Sequence, residues 1–263
     1  MADRAARRNR AKWRKLQDEV SDVFAQVAHV GVRGRPGCEV VVRYMASWFR
    51  YVEYGIPAAR LLHDKGLGHY AAPIRRSIIE HAVNMTAIAE EPEGFDSVIR
   101  ASQKSTKRLK EALTAVRLEP GEDLEQFLTL ETDDATKKLD VKAKIKHRCD
   151  SLGESGKLLY ISWLQETALS HANVPTALIF LHDTPGDDWP TLALEPQIPA
   201  QGWTSDMDMA DAFIMSLDAF SQVVEGDPFR SDVERLNRKK DALMDKAKQI
   251  GAGADLDPPL FSR

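Results

Sequence analysis

The sequence predicts an all-α fold: a multi-helix antiparallel bundle with an irregular Pro-rich insertion before the last two helices. Three observations carry this. Apolar residues recur at alternating intervals of three and four along most of the chain, the period of a helix with one buried stripe. No segment alternates apolar and polar residues as a half-buried strand does. Glycines and prolines gather between the periodic stretches, where they end helices. Helices packed on helices through short connections are the simplest arrangement of such elements.

In chain order, Trp13, Leu16, Val20, Val23, Val27 and Val30 mark a basic N-terminal helix over residues 1–30, stopped by Gly31. Gly34, Pro36 and Gly37 make a loop, and a single helical domain over 38–250 follows. Its first helix runs from Cys38 to Tyr54 with Val41, Met45, Trp48 and Val52 on one side. Gly55 and Pro57 are expected to break or kink it, and its continuation ends at Gly66. Further helices are expected over His69–Glu91, closed by Pro92, and Phe95–Leu118, ended by Pro120. A short segment at Asp123–Thr129, a charged helix at Asp134–Cys149 and a helix at Lys157–Asn173, stopped by Pro175, come next. The loop 183–203 holds five of the breaker residues Pro185, Gly186, Pro190, Pro196, Pro199 and Gly202 within its first seventeen positions, and only Leu192–Leu194 has the makings of a strand. Ser205 and Ser231 stand at N-cap positions of the last two helices, Ser205–Glu225 and Ser231–Ile250. Residues 251–263 are expected to be a flexible tail.

With 43% hydrophobic and 29% charged residues, a core is expected and wholesale disorder is excluded. No apolar run approaches the roughly 18–20 residues of a membrane span, and the basic start has no apolar segment behind it, so neither a membrane partner nor a secretory signal is expected. Two cysteines, Cys38 and Cys149, make neither a disulfide framework nor a metal knuckle, and a reducing cytoplasm is the expected location. Net charge is −4 but uneven: the first sixteen residues carry about +6 and the remainder about −10. Arg7, Arg8, Arg10, Lys12, Arg14 and Lys15 are candidate nucleic-acid-binding residues through counterion release. The same residues also suit a solvated helix start.

The helix over His69–Glu91 carries the chemistry. Ile74, Ile78, Ala82, Met85 and Ile88 share a face, and His81 lies on it. Arg76, Glu80, Asn84 and Ala87 form a second, polar stripe flanked by Ile79 and Val83. Either this helix is central and its stripe meets partners, or it lines a cleft, because buried charges must be paired. On the helix before Pro175, Tyr160, Leu164, Thr167 and His171 follow at four, three and four, which puts His171 on a stripe with Ile161 and Ala168. Glu166, Ser170 and Asn173 stand nearby. If the two helices pack, Arg76, Glu80, His81 and His171 share an interior site and are the candidate catalytic residues. A histidine between a carboxylate and an arginine has its pKa moved toward working pH, as general acid–base chemistry needs. The alternative is a pair of core histidines and an Arg–Glu latch that fixes packing.

The run AARLLHDKGLGHYAAPIRRSIIEHAVNM resembles uncharacterised bacterial helical proteins with an R-S-x-x-E helix after a glycine-containing turn. In that family a later helix ends in a Ser-His pair, which Ser170 and His171 resemble; Arg76, Glu80 and His171 match its polar signature over about residues 38–182. A fainter similarity is to HEPN proteins, helical and often RNA-cutting, whose R-x4–6-H motif is matched by Arg76 with His81 and, one spacer longer, by Arg75. That resemblance implies a metal-independent ribonuclease in phage defence or a toxin–antitoxin pair. His81 would move protons, Arg76 would stabilise the anionic transition state, and the site would form across a dimer.

Other signals are weaker. His182, Asp183, Asp187 and Asp188 crowd one loop without EF-hand spacing, and His63 and His69 lack a third ligand, so no metal and no cofactor is expected. Cys149 follows His147 and Arg148, which would lower its pKa, but no motif surrounds it. Trp189 and Trp203 anchor the Pro-rich connection or cap a pocket. Met209, Phe213, Ser216, Leu217 and Phe220 make a core or dimer stripe. Three functions are compatible with these residues: an intracellular protein acting by interaction or regulation with a structural Arg/Glu/His cluster, a HEPN-like ribonuclease, and non-catalytic nucleic-acid binding through the basic arm. The corresponding partners are a second copy of the chain, another protein, or RNA.

Overall fold

The computed structural model describes residues 2–26, 32–119, 121–129, 144–171, 181–182, 191–192 and 204–251. The helices are α1 (Ala2–Ala25), α2 (Val41–Asp64), α3 (Ala72–Glu90), α4 (Phe95–Ala115), α5 (Glu122–Leu128), α6 (Ile145–Ser151), α7 (Gly153–Ser170), α8 (Thr204–Val223) and α9 (Arg230–Gly251), an all-α bundle as the periodicity predicts. Among the described residues the sheet content is one antiparallel two-residue pair, Leu181–His182 with Thr191–Leu192, at the insertion. The acidic positions 183, 187 and 188, both tryptophans of the insertion, most of the segment before Ile145, and the tail from residue 252 lie outside the described residues.

Two helices form the centre. α8 is buried around its circumference, with Met209, Phe213, Ile214, Leu217, Phe220 and Val223 packed and Ala210, Ala212 and Ala219 allowing close approach. α3 lies along it with Ile78, Ile79, Val83, Met85 and Ile88 fully enclosed. α2 and α7 flank α3, and α1 and α9 flank α8. Phe49 of α2 meets Phe213 of α8 with ring centroids 5.3 Å apart, and Phe24 of α1 packs on Phe49 at 4.3 Å, so three helices share one aromatic cluster.

Three sequence expectations are corrected. α2 runs unbroken through Gly55 and Pro57. At Gly55 α2 packs closely on α3: a β-carbon there would stand 3.1 Å from Ile78, so the glycine serves helix packing rather than chain reversal. Second, α1 is no separate arm: Trp13, Leu16, Val20, Val23 and Phe24 belong to the common core. Third, Ser205 and Ser231 fall inside the first turns of α8 and α9 rather than at their caps. The α8–α9 turn is held instead by buried Ser221, which bonds Asp227 and accepts from the Phe229 backbone N–H at 3.1 Å. The stripe Met209, Phe213, Ser216, Leu217 and Phe220 is wholly core.

Because Phe213 links α8 to α2 with almost no exposure, Phe213→Ala lowers unfolding free energy by about 3–5 kcal/mol in urea denaturation. A loss below about 1 kcal/mol would show that this cluster does not hold the bundle.

Candidate functional site

The polar stripe of α3 meets partners along its whole length. Arg76 donates from Nε to Glu80 Oε1 at 3.1 Å and contacts His171 Nε2 through Nη1 at 2.9 Å. A guanidinium has only donors, so His171 accepts at Nε2. The Arg76 guanidinium also sits 5.2 Å from the ring centroid of Trp163, a cation–π contact. Trp163 in turn donates its indole N–H to Glu80 Oε1 at 2.8 Å. One turn past Glu80, Asn84 accepts a hydrogen bond from Arg148 of α6. The stripe is therefore a seam that fastens α3 to α7 and α6.

This seam brings together three of the four candidate catalytic residues and excludes the fourth. His81 projects toward α2. Its ring stacks on Tyr51 with centroids 4.4 Å apart, and its Nδ1–H donates to the Ser77 carbonyl at 2.7 Å. Burial lowers its pKa, against the bond to Ser77 and the charge of Glu80. The Arg76–His81 motif thus does not converge within one chain; Arg76 pairs with His171 instead. Nor is the cluster interior. Arg76 and Glu80 side chains are 28% and 35% exposed, and His171 is exposed just past the end of α7. The stripe of Ile161 and Leu164 faces outward as well, while Leu159, Ser162 and Glu166 face the core.

A buried ion pair that the sequence expectations do not contain joins α3 to α7. Arg75, one residue before Arg76, is enclosed and grips Glu166 of α7 with two hydrogen bonds of 2.7 and 2.8 Å. Its Nη1 also donates to the Gly68 carbonyl at 2.9 Å, tying in the turn before α3. The signal was present in the spacing: Arg75 continues the buried positions Ile78, Ile79 and Ala82, so it had to be inside and paired.

A second missed residue is Asp208, half-buried on α8, which accepts a hydrogen bond from Ser162 of α7 at 2.9 Å. Burial pushes its carboxyl up to about 7, the Ser162 bond opposes that, and the charges of Asp211 and Glu166 add to it. No periodicity in the sequence singles this residue out.

The basic candidates divide. Arg14 bonds Asp64 at 2.9 and 2.8 Å and Asp206 at 3.3 Å, and Arg10 lies 3.7 Å from Asp206. Arg60 closes the clasp on Gln17 and the Arg14 carbonyl. These cations hold α1 to α2 and α8. Arg8, Lys12 and Lys15 are exposed, and the side chain of the residue at position 7 lies outside those described. Among the described residues no group of three or more His, Cys, Asp or Glu side chains could hold a metal. Cys149 departs from expectation: burial pushes its thiol up to about 11, with Asp150 adding to the shift, despite Arg148 next to it. No helix among the described residues is long and apolar enough to cross a membrane.

Comparison with protein-family models, curated proteins and solved structures gives no match for this chain.

Asp208 supplies a pH test. Its folded pKa lies above the ordinary aspartate value, so the folded state holds the extra proton between about pH 4 and 7, and the penalty for its charge is fully present only above pH 7. Asp208→Asn therefore raises the thermal midpoint at pH 8 and raises it by clearly less at pH 5, where only the first part of the penalty has developed. An equal shift at both pH values would show that the carboxyl titrates normally.

Proposed function

We propose that this chain is a non-catalytic helical interaction protein of the cytoplasm, which docks a protein partner along the outer face of α2. The supporting observation is an exposed apolar stripe on that helix. Val40, Tyr44, Tyr51, Tyr54 and Leu61 are 62, 40, 51, 72 and 60% exposed. At about 100° per residue they fall within one sector of the helix, opposite the buried Val42, Met45, Phe49, Val52 and Ile56. An amphipathic helix of a self-contained domain turns its second face polar; this one carries tyrosines, the residue type that anchors protein interfaces. The stripe runs about 30 Å, long enough for a standard interface.

The Arg76–Glu80–Trp163–His171 cluster fits the same reading as a latch. Three hydrogen bonds join its members to one another, two of them across the α3–α7 seam. His81 fits it too, since it stacks under Tyr51 and braces the stripe from behind. The ribonuclease reading draws on the solvent-facing Arg76–His171 contact instead, and the same experiment separates the two.

A photo-crosslinking amino acid at position 54, in cells making the full chain, forms a discrete protein adduct, either with a second copy or with another protein. The adduct disappears in Leu61→Glu and does not form from position 90, at the far end of α3. Production of the chain leaves growth unchanged, and the purified protein leaves RNA intact. Growth arrest or RNA cleavage abolished by His171→Ala, with no adduct at position 54, would overturn the proposal.

A further inference from the structure

Between α7, α8 and α9 lies a cleft of about 450 Å³, within the range of small-ligand pockets. Its apolar wall comes from Leu158 and Ile161 of α7, Met207 of α8 and Met244 of α9. Leu158 and Ile161 are 55% and 51% exposed although their helix neighbours Ser162 and Glu166 face inward. This leaves two large aliphatic side chains at the cleft mouth, with Leu159 and Ser162 turned inward beneath them. Two methionines give the wall adaptable, polarisable contacts.

The polar lining is one-sided. Asp208, Asp211, Asp241 and Asp245 stand against one ammonium, that of Lys240. Lys240 is already bound to Asp211 at 2.6 Å, and Arg75, on the neighbouring helix, is bound to Glu166. The partner of Asp208 is the neutral hydroxyl of Ser162. A carboxyl beside an apolar wall, facing further carboxylates and bonded among the described residues to a neutral hydroxyl, favours an incoming cation over an anion or a neutral molecule. The raised pKa of this carboxyl is the same physics seen from the unliganded side.

We propose that this cleft binds a small organic ammonium ion, with its nitrogen on the Asp208 carboxylate and its apolar body between Leu158, Ile161, Met207 and Met244. Inorganic cations are disfavoured because most of the lining surface offers carbon rather than oxygen. Anions meet Asp241 and Asp245 of α9 at the rim. Binding requires the ionised carboxylate, so it strengthens as pH rises through 7. The charged groups facing Asp208 are Asp211, Asp241, Asp245 and Lys240 around the cleft, with Glu166 and Arg75 behind it; Asp211 and Glu166 raise its titration and Arg75 lowers it.

The test is calorimetric titration of the full chain with three probes of equal length: n-hexylamine, 1-hexanol and hexanoate. At pH 8 hexylamine binds with a dissociation constant on the order of 1 mM, as its size allows. Hexanol and hexanoate bind at least about tenfold more weakly, and hexylamine itself weakens by a similar factor at pH 5.5. Asp208→Asn, near-isosteric and still able to bond Ser162, loses hexylamine binding by about tenfold or more. Leu158→Lys, at an exposed position, places an ammonium in the cleft and also abolishes binding, which keeps the test decisive should Asp208→Asn fail to fold. Hexanoate or hexanol binding as tightly as the amine, unchanged binding in both variants, or no hexylamine binding up to about 10 mM would overturn the proposal.

Discussion

Arg75 cannot be buried alone. An unpaired guanidinium in a helical core costs several kcal/mol, and Glu166 removes that cost with a bidentate contact across the α3–α7 seam. The pair fixes both the rotation and the axial register of the two helices, because a fork-to-fork geometry tolerates little displacement. That registry positions the polar groups on both flanks of α7. Arg76 follows Arg75 directly and so emerges at the solvent edge of the seam, one turn from Glu80, where Trp163 and His171 meet it. Ser162 precedes Glu166 by one turn and is thereby aimed at Asp208 on the far side of α7.

The two polar groupings on either flank of α7 differ in kind. The outer one is a closed exchange of hydrogen bonds at partial exposure, where ion pairs contribute little energy and much geometry. The inner one leaves a carboxyl in an apolar wall with a hydroxyl for a partner, an arrangement that retains unspent electrostatic energy. A latch belongs where bonds are satisfied, and a binding site belongs where they are not. This difference is what supports the proposed roles, a latch for Arg76, Glu80 and His171 and a cation-binding cleft at Asp208.

The legibility of the chain follows the same physics. Helix existence was readable because burial of one stripe imposes a period on the residues themselves, as in Met209, Phe213, Leu217 and Phe220. The convergence of Arg76, Glu80 and His171 was readable because spacing on α3 and α7 places them, once the two helices pack. His81 was misplaced because periodicity gives a side chain's direction and not which neighbour lies there; α2 lies there, with Tyr51. Pro57 and Gly55 read as a break or a kink because local propensity favours one; the break is absent, and Gly55 packs against Ile78 within a continuous helix. The clasp of Arg14 on Asp64 and Asp206 spans 50 and 192 residues of sequence separation, and Asp208 owes its character to Ser162, Glu166 and Asp211. Contacts of that range leave no pattern in a single sequence.

A double-mutant cycle on the buried pair tests the account most directly. In urea denaturation, Arg75→Met and Glu166→Leu each lose about 3–5 kcal/mol, since each strands one charge in the core. Arg75→Met with Glu166→Leu regains most of that loss, because no charge then remains to be desolvated, giving a coupling of at least about 2 kcal/mol. Single losses below about 1 kcal/mol, or losses that simply add in the double variant, would contradict the claim that this pair registers the two helices.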